Sequence, residues 1–115
     1  MNRFDVWLAD LDPTRGAEMQ KRRPCVIVSP RVLNRMLATV LVAPMTAARH
    51  GYPSRVACAF AGREGEIALD QMRCVDKGRL VRHVGKIDAL TAQAVFAVLL
   101  EIQLLLRVLN VSTAR

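Results

Sequence analysis

Asp10-Leu11-Asp12-Pro13-Thr14-Arg15-Gly16-Ala17-Glu18-Met19-Gln20-Lys21-Arg22-Arg23-Pro24-Cys25-Val26-Ile27-Val28 is the stretch on which the reading of this chain turns. It joins two segments unlike its own middle. Phe4 to Leu11 is short, apolar and closed by an acidic turn, and Cys25 to Val28 is rich in β-branched residues. Between them stand Pro13, Gly16, the carboxylate Glu18 and the cations Arg15, Lys21, Arg22 and Arg23. Pro and Gly so placed punctuate a loop rather than a helix or strand. A cationic loop anchored at both ends on strands is suited to meet a polyanion.

Outward from this loop the chain reads as short strands. Phe4 to Leu11 is a first strand and Pro24 to Ser29 a second, Pro24 taking a first position where no ladder donor is needed. Arg31 to Leu37 places Val32, Leu33, Met36 and Leu37 at the spacing of one helical face, which predicts a short helical turn. Ala38 to Ala43 is a third strand closed by Pro44, and Ser54 to Phe60 a fourth. Gly62 to Gly65 is a turn, Glu66 to Asp76 a fifth strand bent near Asp70-Gln71, and Arg79 to Ile87 a sixth. Asp88 suits the N-cap of a helix from Ala89 to Leu109. The apolar positions of that helix wind round much of its circumference, more than one small sheet covers, which predicts a dimer. Residues 1–110 form one domain, and 111–115 are expected to fray. Short strands followed by one helix predict a mainly β fold, a small coiled antiparallel barrel with a helix packed on it.

Composition narrows the function. Of 115 residues, 52% are hydrophobic and 23% charged, which describes a globular chain. Lys and Arg number 17 against 10 Asp and Glu, a net charge of +7. That excess points to an anionic partner, nucleic acid first and an acidic protein second. Cys25, Cys58 and Cys74 stand far apart with no Cys-x-x-Cys pair, which argues against a disulfide framework and a zinc site. Buried free thiols in a reducing cytoplasm are expected. Asp5 falls where a signal peptide needs its apolar core, and the apolar run Ala94 to Leu100 is too short to span a bilayer, so a soluble protein is expected.

Arg15, Lys21, Arg22, Arg23, Arg31 and Arg35 form one cationic group in the sequence; Lys77, Arg79, Arg82, His83 and Lys86 form another. Brought together they would make a track for a phosphate backbone. Aromatics are too few for a base-stacking platform. No nucleophile elbow, phosphate-cradling glycine loop or metal-spaced histidine pair occurs, and nothing in the sequence places His50 beside His83. One metal-free reaction suits the residues present: attack of an RNA 2′-hydroxyl on its neighbouring phosphate. It needs a base, donors for the phosphoryl charge and an acid for the leaving oxygen. Glu18 and Asp70 are both candidates for the base, Arg23 for the charge and Thr46 for a further hydrogen bond.

Four motifs in order resemble the MazF/PemK/Kid family of bacterial toxins, which are endoribonucleases. They are Val6-Trp7-Leu8-Ala9-Asp10-Leu11-Asp12-Pro13-Thr14-Arg15-Gly16; Glu18 with Arg23-Pro24 and Val26-Ile27-Val28-Ser29; Pro44-Met45-Thr46 with Gly51-Tyr52-Pro53; and Leu69-Asp70-Gln71-Met72-Arg73. The resemblance implies an SH3-like barrel of the CcdB/PemK type with a C-terminal helix, working as a cytoplasmic homodimer. It implies sequence-specific cleavage of single-stranded mRNA without a cofactor or metal, leaving a 2′,3′-cyclic phosphate and a 5′-hydroxyl. It also implies a cognate antitoxin whose acidic C-terminal tail covers the RNA site. The family's catalytic residues fall on Arg23, Thr46 and Glu18, with Asp70 and Gln71 catalytic or supporting. Arg15, Lys21, Arg22, Arg49, His50, Arg73 and Arg79 are the expected RNA contacts. In the Kid-like branch an Arg stands two positions before the acid; here that position is Ala68. A CcdB-like topoisomerase-binding toxin and a non-catalytic nucleic-acid or antitoxin binder are the alternatives.

Overall fold

The computed structural model describes residues 1–11 and 22–113, and the side chains of all of these except 105, 106 and 108–113. The strands are β1 (Asp5–Asp10), β2 (Arg22–Ile27), β3 (Thr39–Thr46), β4 (Arg55–Phe60), β5 (Arg63–Ala68), β6 (Arg73–Asp76) and β7 (Leu80–Lys86). The helices are α1 (Arg31–Met36) and α2 (Ala89–Thr113). All pairings are antiparallel, in the order β4-β5-β3-β2-β1-β7, with β6 also on β3.

The curl of the sheet follows from one short link. β6 lies on β3 and β7 on β1, so β2 and β1 stand between β6 and β7 along with β3. Four strand spacings in a flat sheet measure about 19 Å. Yet β6 and β7 are joined only by the 3₁₀ turn Lys77–Arg79, and three residues in that conformation rise about 6 Å. The five strands therefore roll until their edges approach, which makes a half-barrel.

Strand alternation then divides the core in two. Cys25 and Ile27 of β2, Val40 and Val42 of β3, Val75 and Leu80 fill the inside of the roll. Val26, Val28, Ala43, Met45, Val56, Ile67 and Leu69 face the other way and meet Val95 of α2, with Ala92, Val98, Leu99 and Ile102 alongside. Asp88 caps α2 as expected, accepting the Thr91 N–H at 2.8 Å. That bond holds the Asp88 carboxyl below its ordinary range. The helix continues past the expected end at Leu109 to Thr113. No helix among the described residues is long and apolar enough to cross a membrane.

Three expectations are corrected. First, β3 does not close at Pro44 but runs to Thr46. Val28 N–H donates to the Leu41 carbonyl at 2.9 Å, so two-residue alternation makes Cys25–Pro44 a pair without ladder hydrogen bonds. The proline nitrogen therefore faces the other edge, where β6 has left β3 after the Val42–Arg73 pair and β5 has yet to join it at Met45–Ile67. Second, the hairpin turn is Ala61-Gly62, with φ of 53° and 77°, and β5 already includes Gly65. Two positive φ values are what a two-residue hairpin of right-handed twist demands. Third, the expected strand from Glu66 to Asp76 is two strands separated by the 3₁₀ turn Leu69–Gln71. Of the thiols, Cys25 is buried as expected, Cys58 half-buried and Cys74 exposed.

Candidate nucleic-acid interface

The cross-strand register assembles the site. The β2–β3 register ends at Cys25–Pro44, and two residues beyond it on each strand Arg23 and Thr46 line the same cleft. Thr46 is paired in turn with Glu66 of β5, and Glu66 with Ala57 of β4. Cross-strand partners share a face, so Thr46 and Glu66 stand on one face, with Arg23 beside Thr46 in the cleft. Arg55, two residues before Ala57, projects to the same face. Arg23, Thr46, His50, Arg55 and Gln71 line a shallow cleft of about 410 Å³ at this end of the sheet.

The floor of the cleft is a charge cluster. The Arg55 side chain is only 6% exposed. Its Nε donates to Asp70 Oδ1 at 2.6 Å, Nη2 to Asp70 Oδ2 at 3.2 Å and Nη1 to Glu66 Oε1 at 3.3 Å. Ser54 Oγ adds a bond to Asp70 Oδ1 at 3.0 Å. The forked guanidinium is the group whose geometry matches a carboxylate in this two-point way. Its hydrogen bonds hold the Asp70 carboxyl below the ordinary carboxylate range, and they raise the guanidinium's own pKa further.

Glu66 ties this cluster to the loop above it. Its two oxygens accept the His50 N–H at 3.1 Å and the Gly51 N–H at 2.8 Å. The Gly51 bond is the main cause that keeps the Glu66 carboxyl below its ordinary range. The His50 ring stacks on Tyr52 at 5.0 Å and 8°, and the Arg55 guanidinium lies 5.2 Å from the same Tyr52 ring. A buried carboxylate, a buried cation and two rings thus fix residues 50–52 against the sheet. At the rim the Thr46 hydroxyl donates to the Ala48 carbonyl at 3.0 Å.

The expected site residues divide accordingly. Arg23, Thr46, His50 and Gln71 come together. Asp70, itself exposed, is the bidentate partner of Arg55, which lines the cleft. Arg22 lies opposite Asp10 at the start of β2. Arg73 is exposed on β6, and Arg49 pairs with Glu64 at 2.9 Å on the surface. Arg79 Nη1 donates to the Asp10 carbonyl at 3.1 Å. Glu18, Arg15 and Lys21 lie outside the described residues. His83 is elsewhere, stacked on Trp7 at 5.2 Å, so the two histidines are not a pair. The Cys25 thiol is no nucleophile: burial pushes it up to about 12, against a weaker opposite pull from Arg23 and Arg73. Among the described residues no group of three or more His, Cys, Asp or Glu could hold a metal ion.

Arg55 and Glu66 escaped the sequence reading. Arg55 passes for the polar face of a half-buried strand. Glu66 did carry a signal, for it stands in Gly65-Glu66-Ile67-Ala68-Leu69, and a carboxylate inside an apolar strand must be partnered.

Comparison with known proteins follows the same lines. The family described as PemK-like, MazF-like toxin of type II toxin-antitoxin system matches residues 2–103. The endoribonuclease toxin MazF of Escherichia coli strain K12 is 34% identical over 70 residues, covering 61% of this chain and 62% of that protein. The endoribonuclease EndoA of Bacillus subtilis strain 168 is 32% identical over 94 residues, covering 76% and 81%. The chain thus spans about three fifths of the length of the E. coli relative. MazF from Deinococcus radiodurans superposes with a TM-score of 0.73 at 24% identity, over 90% of this chain and 96% of that one. A MazE-MazF structure from the same organism gives 0.76 at 24%, over 90% and 95%. At that identity the superpositions speak for the fold alone.

Proposed function

Because the chain belongs to the PemK-like, MazF-like family of type II toxin–antitoxin toxins, we propose that it is the toxin of such a pair and a sequence-specific endoribonuclease acting on single-stranded mRNA. The observation that carries this reading is that Arg23 and Thr46 line one cleft whose other arginine, Arg55, is already engaged by two carboxylates. Arg55 is spent on two carboxylates, whereas Arg23 is exposed and has no ion-pair partner among the described residues.

The chemistry needs no metal. A scissile phosphate lies against Arg23, whose guanidinium offers two donors to the phosphoryl oxygens as charge gathers there. Thr46 exchanges its Ala48 partner for a third donor bond. The 2′-oxygen attacks phosphorus, its proton passes to Glu18, and the bond to the 5′-oxygen breaks. His50, which lines the same cleft, gives that oxygen a proton. The products are a 2′,3′-cyclic phosphate and a 5′-hydroxyl. Asp70, with both oxygens engaged by Arg55, serves as scaffold rather than base. Arg15, Lys21, Arg22, Arg49, Arg73 and Arg79 track the flanking backbone. A homodimer, the cytoplasm and a cognate antitoxin with an acidic tail complete the reading.

The test is incubation of the purified protein with a long single-stranded RNA in EDTA, with mapping of the fragment ends. Discrete cuts ending in cyclic phosphate are expected. Arg23→Ala should cut slower by about 10²–10³-fold, the effect of removing one charge-stabilising donor, with an unchanged melting temperature. Intact RNA, or full activity in Arg23→Ala, would overturn the proposal.

A further inference from the structure

Beside the cleft at Arg23 the structure holds a second opening, of about 350 Å³. Leu8, Pro24, Met45, Cys58, Phe60 and Val84 give it an apolar lining, and all six are buried or half-buried. Met45, Cys58, Phe60 and Val84 belong to the core that meets α2, yet no residue of α2 lines the opening. The helix covers one part of this face and leaves the rest bare. Phe60 gives the opening its wall. β4 and β7 are the two ends of the strand order, and the Phe60 ring of the first reaches the second: a Cβ on Gly85 would stand 3.1 Å from Phe60 Cζ. The ring therefore lies directly on bare backbone, across the gap between the two strands.

Three features say what enters. The first is continuity. Met45, Thr46 and Ala47 line both this opening and the cleft, so only the end of β3 separates them. A strand held at Arg23 that crosses this end meets the opening next. The second is charge. Arg63 and Arg82 stand on the rim, exposed and without an ion-pair partner among the described residues, while the acid there, Glu64, is engaged by Arg49 at 2.9 Å. An apolar interior under a cationic rim suits a flat, apolar-faced group carried on an anionic backbone. The third is readout. Arg23 and Thr46 address a phosphate, and a phosphate carries no sequence information. RNA sequence is read on bases splayed out of the strand and stacked on a side chain. The volume lies at the small end of ligand pockets, which run from about 300 to 1,000 Å³, and one ring serves one base.

We infer that this opening is a nucleobase pocket: a base neighbouring the scissile phosphate turns into it and lies against Phe60, while Arg63 and Arg82 hold the flanking phosphates. The inference rests on the function proposed above and adds to it the place where sequence is read. Phe60 and Arg82 then set specificity without touching the reacting atoms.

The Cys58 thiol, in the pocket wall, is the reporter. Cys25 is fully buried, and Cys74→Ser removes the exposed thiol, so iodoacetamide then reads Cys58 alone. Burial raises the Cys58 thiol above its ordinary value, so labelling runs above neutral pH. The probe is a short random-sequence RNA with every 2′-oxygen methylated, which has no hydroxyl to attack with. At saturation it should slow the labelling of Cys58 at least ten-fold. An abasic strand of equal length, with phosphates and no bases, should leave the labelling unchanged. Phe60→Ala should bind the probe about ten-fold more weakly, as for one lost base stack, and should lose the preference at one position of the mapped cuts in unmethylated RNA. Arg82→Ala, a change at an exposed side chain, should bind more weakly with a flatter salt dependence. Unprotected Cys58 under saturating probe, or equal protection by the abasic strand, would overturn the inference. So would labelling that slows with protein concentration in the absence of RNA, which would put a second copy over the pocket. Protection of Cys58 by the probe with unmethylated RNA left intact would refute the nuclease and keep the pocket; a probe that does not bind at all would remove both.

Discussion

Gly65→Ala tests whether Thr46 is as tightly set as the structure has it. Gly65 is buried on β5, and a Cβ there would press directly on the Thr46 carbonyl oxygen, with Thr46 C at 3.1 Å and Ala47 Cα at 3.4 Å behind it. All three atoms are backbone, so no side chain swings aside. The methyl needs the end of β3 to move by about an ångström, and misplacement of that size costs about 10²-fold in rate. Overpacking of this kind also destabilises by about 1–3 kcal/mol. The assay is single-turnover cleavage of a short RNA carrying the mapped site, below the variant's own melting temperature. Gly78→Ala, with nothing within 4 Å of its Cβ, is the control and should cut normally. Wild-type cleavage by Gly65→Ala would show that Thr46 need not sit where β5 places it, and its place in the cleft would lose its functional meaning.

Two further outcomes concern stability. Asp70 and Glu66 both have carboxyl groups held below their ordinary range, so each favours the folded state at pH values above the unfolded carboxylate pKa of about 4. That contribution fades as pH falls from there through the folded-state values. Melting temperature should be level near neutrality and fall in acid, and Asp70→Asn should flatten the fall; an equally steep fall in Asp70→Asn would remove Asp70 from the account. Asn34→Ala deletes three hydrogen bonds, about 3 kcal/mol at about 1 kcal/mol each. For a 115-residue domain that lowers the melting temperature by about 12 °C, and a change under about 3 °C would mean that α1 is not pinned by its amide.

Much of the fold was legible because its signals are local. The apolar run of β1, the alternation of β4, and Asp88 before a helix each lie within a few residues. What escaped depends on neighbours distant in sequence. Pro44 stops a strand only if its nitrogen faces an occupied edge, and here that edge is vacant between β6 and β5. The run Glu66 to Asp76 breaks for the same reason, since one strand cannot follow β3 along two separate stretches without leaving it between them. In α1 the spacing of Val32, Leu33, Met36 and Leu37 correctly indicated a helix, but periodicity cannot tell which way an apolar face points. Asn34 settled that through partners at positions 1 and 29. At the site, the motifs named Arg23 and Thr46 individually. Their sharing one cleft is a fact of the fold, and the Arg55 cluster is a set of three charges that no single segment contains.

That cluster explains why Arg23, and not Arg55, is the cation available for an anion. Four charged side chains converge at this end of the sheet: Arg23, Arg55, Glu66 and Asp70. Arg55 satisfies both carboxylates at once, through Nε and Nη2 to one and Nη1 to the other. If it did not, Glu66 and Asp70 would present two negative charges to any phosphate entering the cleft, and Arg23 would be drawn down to neutralise them. The buried arginine therefore does electrostatic work for the exposed one, across the two strands between them. Asp70→Asn and Glu66→Gln would each remove one negative charge from this cluster of one cation and two carboxylates and leave it neutral. Nucleic-acid affinity should then rise and steepen in its salt dependence while the loop at 50–52 loosens and the cleavage rate falls. Tighter binding with slower cutting is the signature of that division of labour. If binding and cutting fell together, the carboxylates would be acting on the RNA directly and not through Arg55.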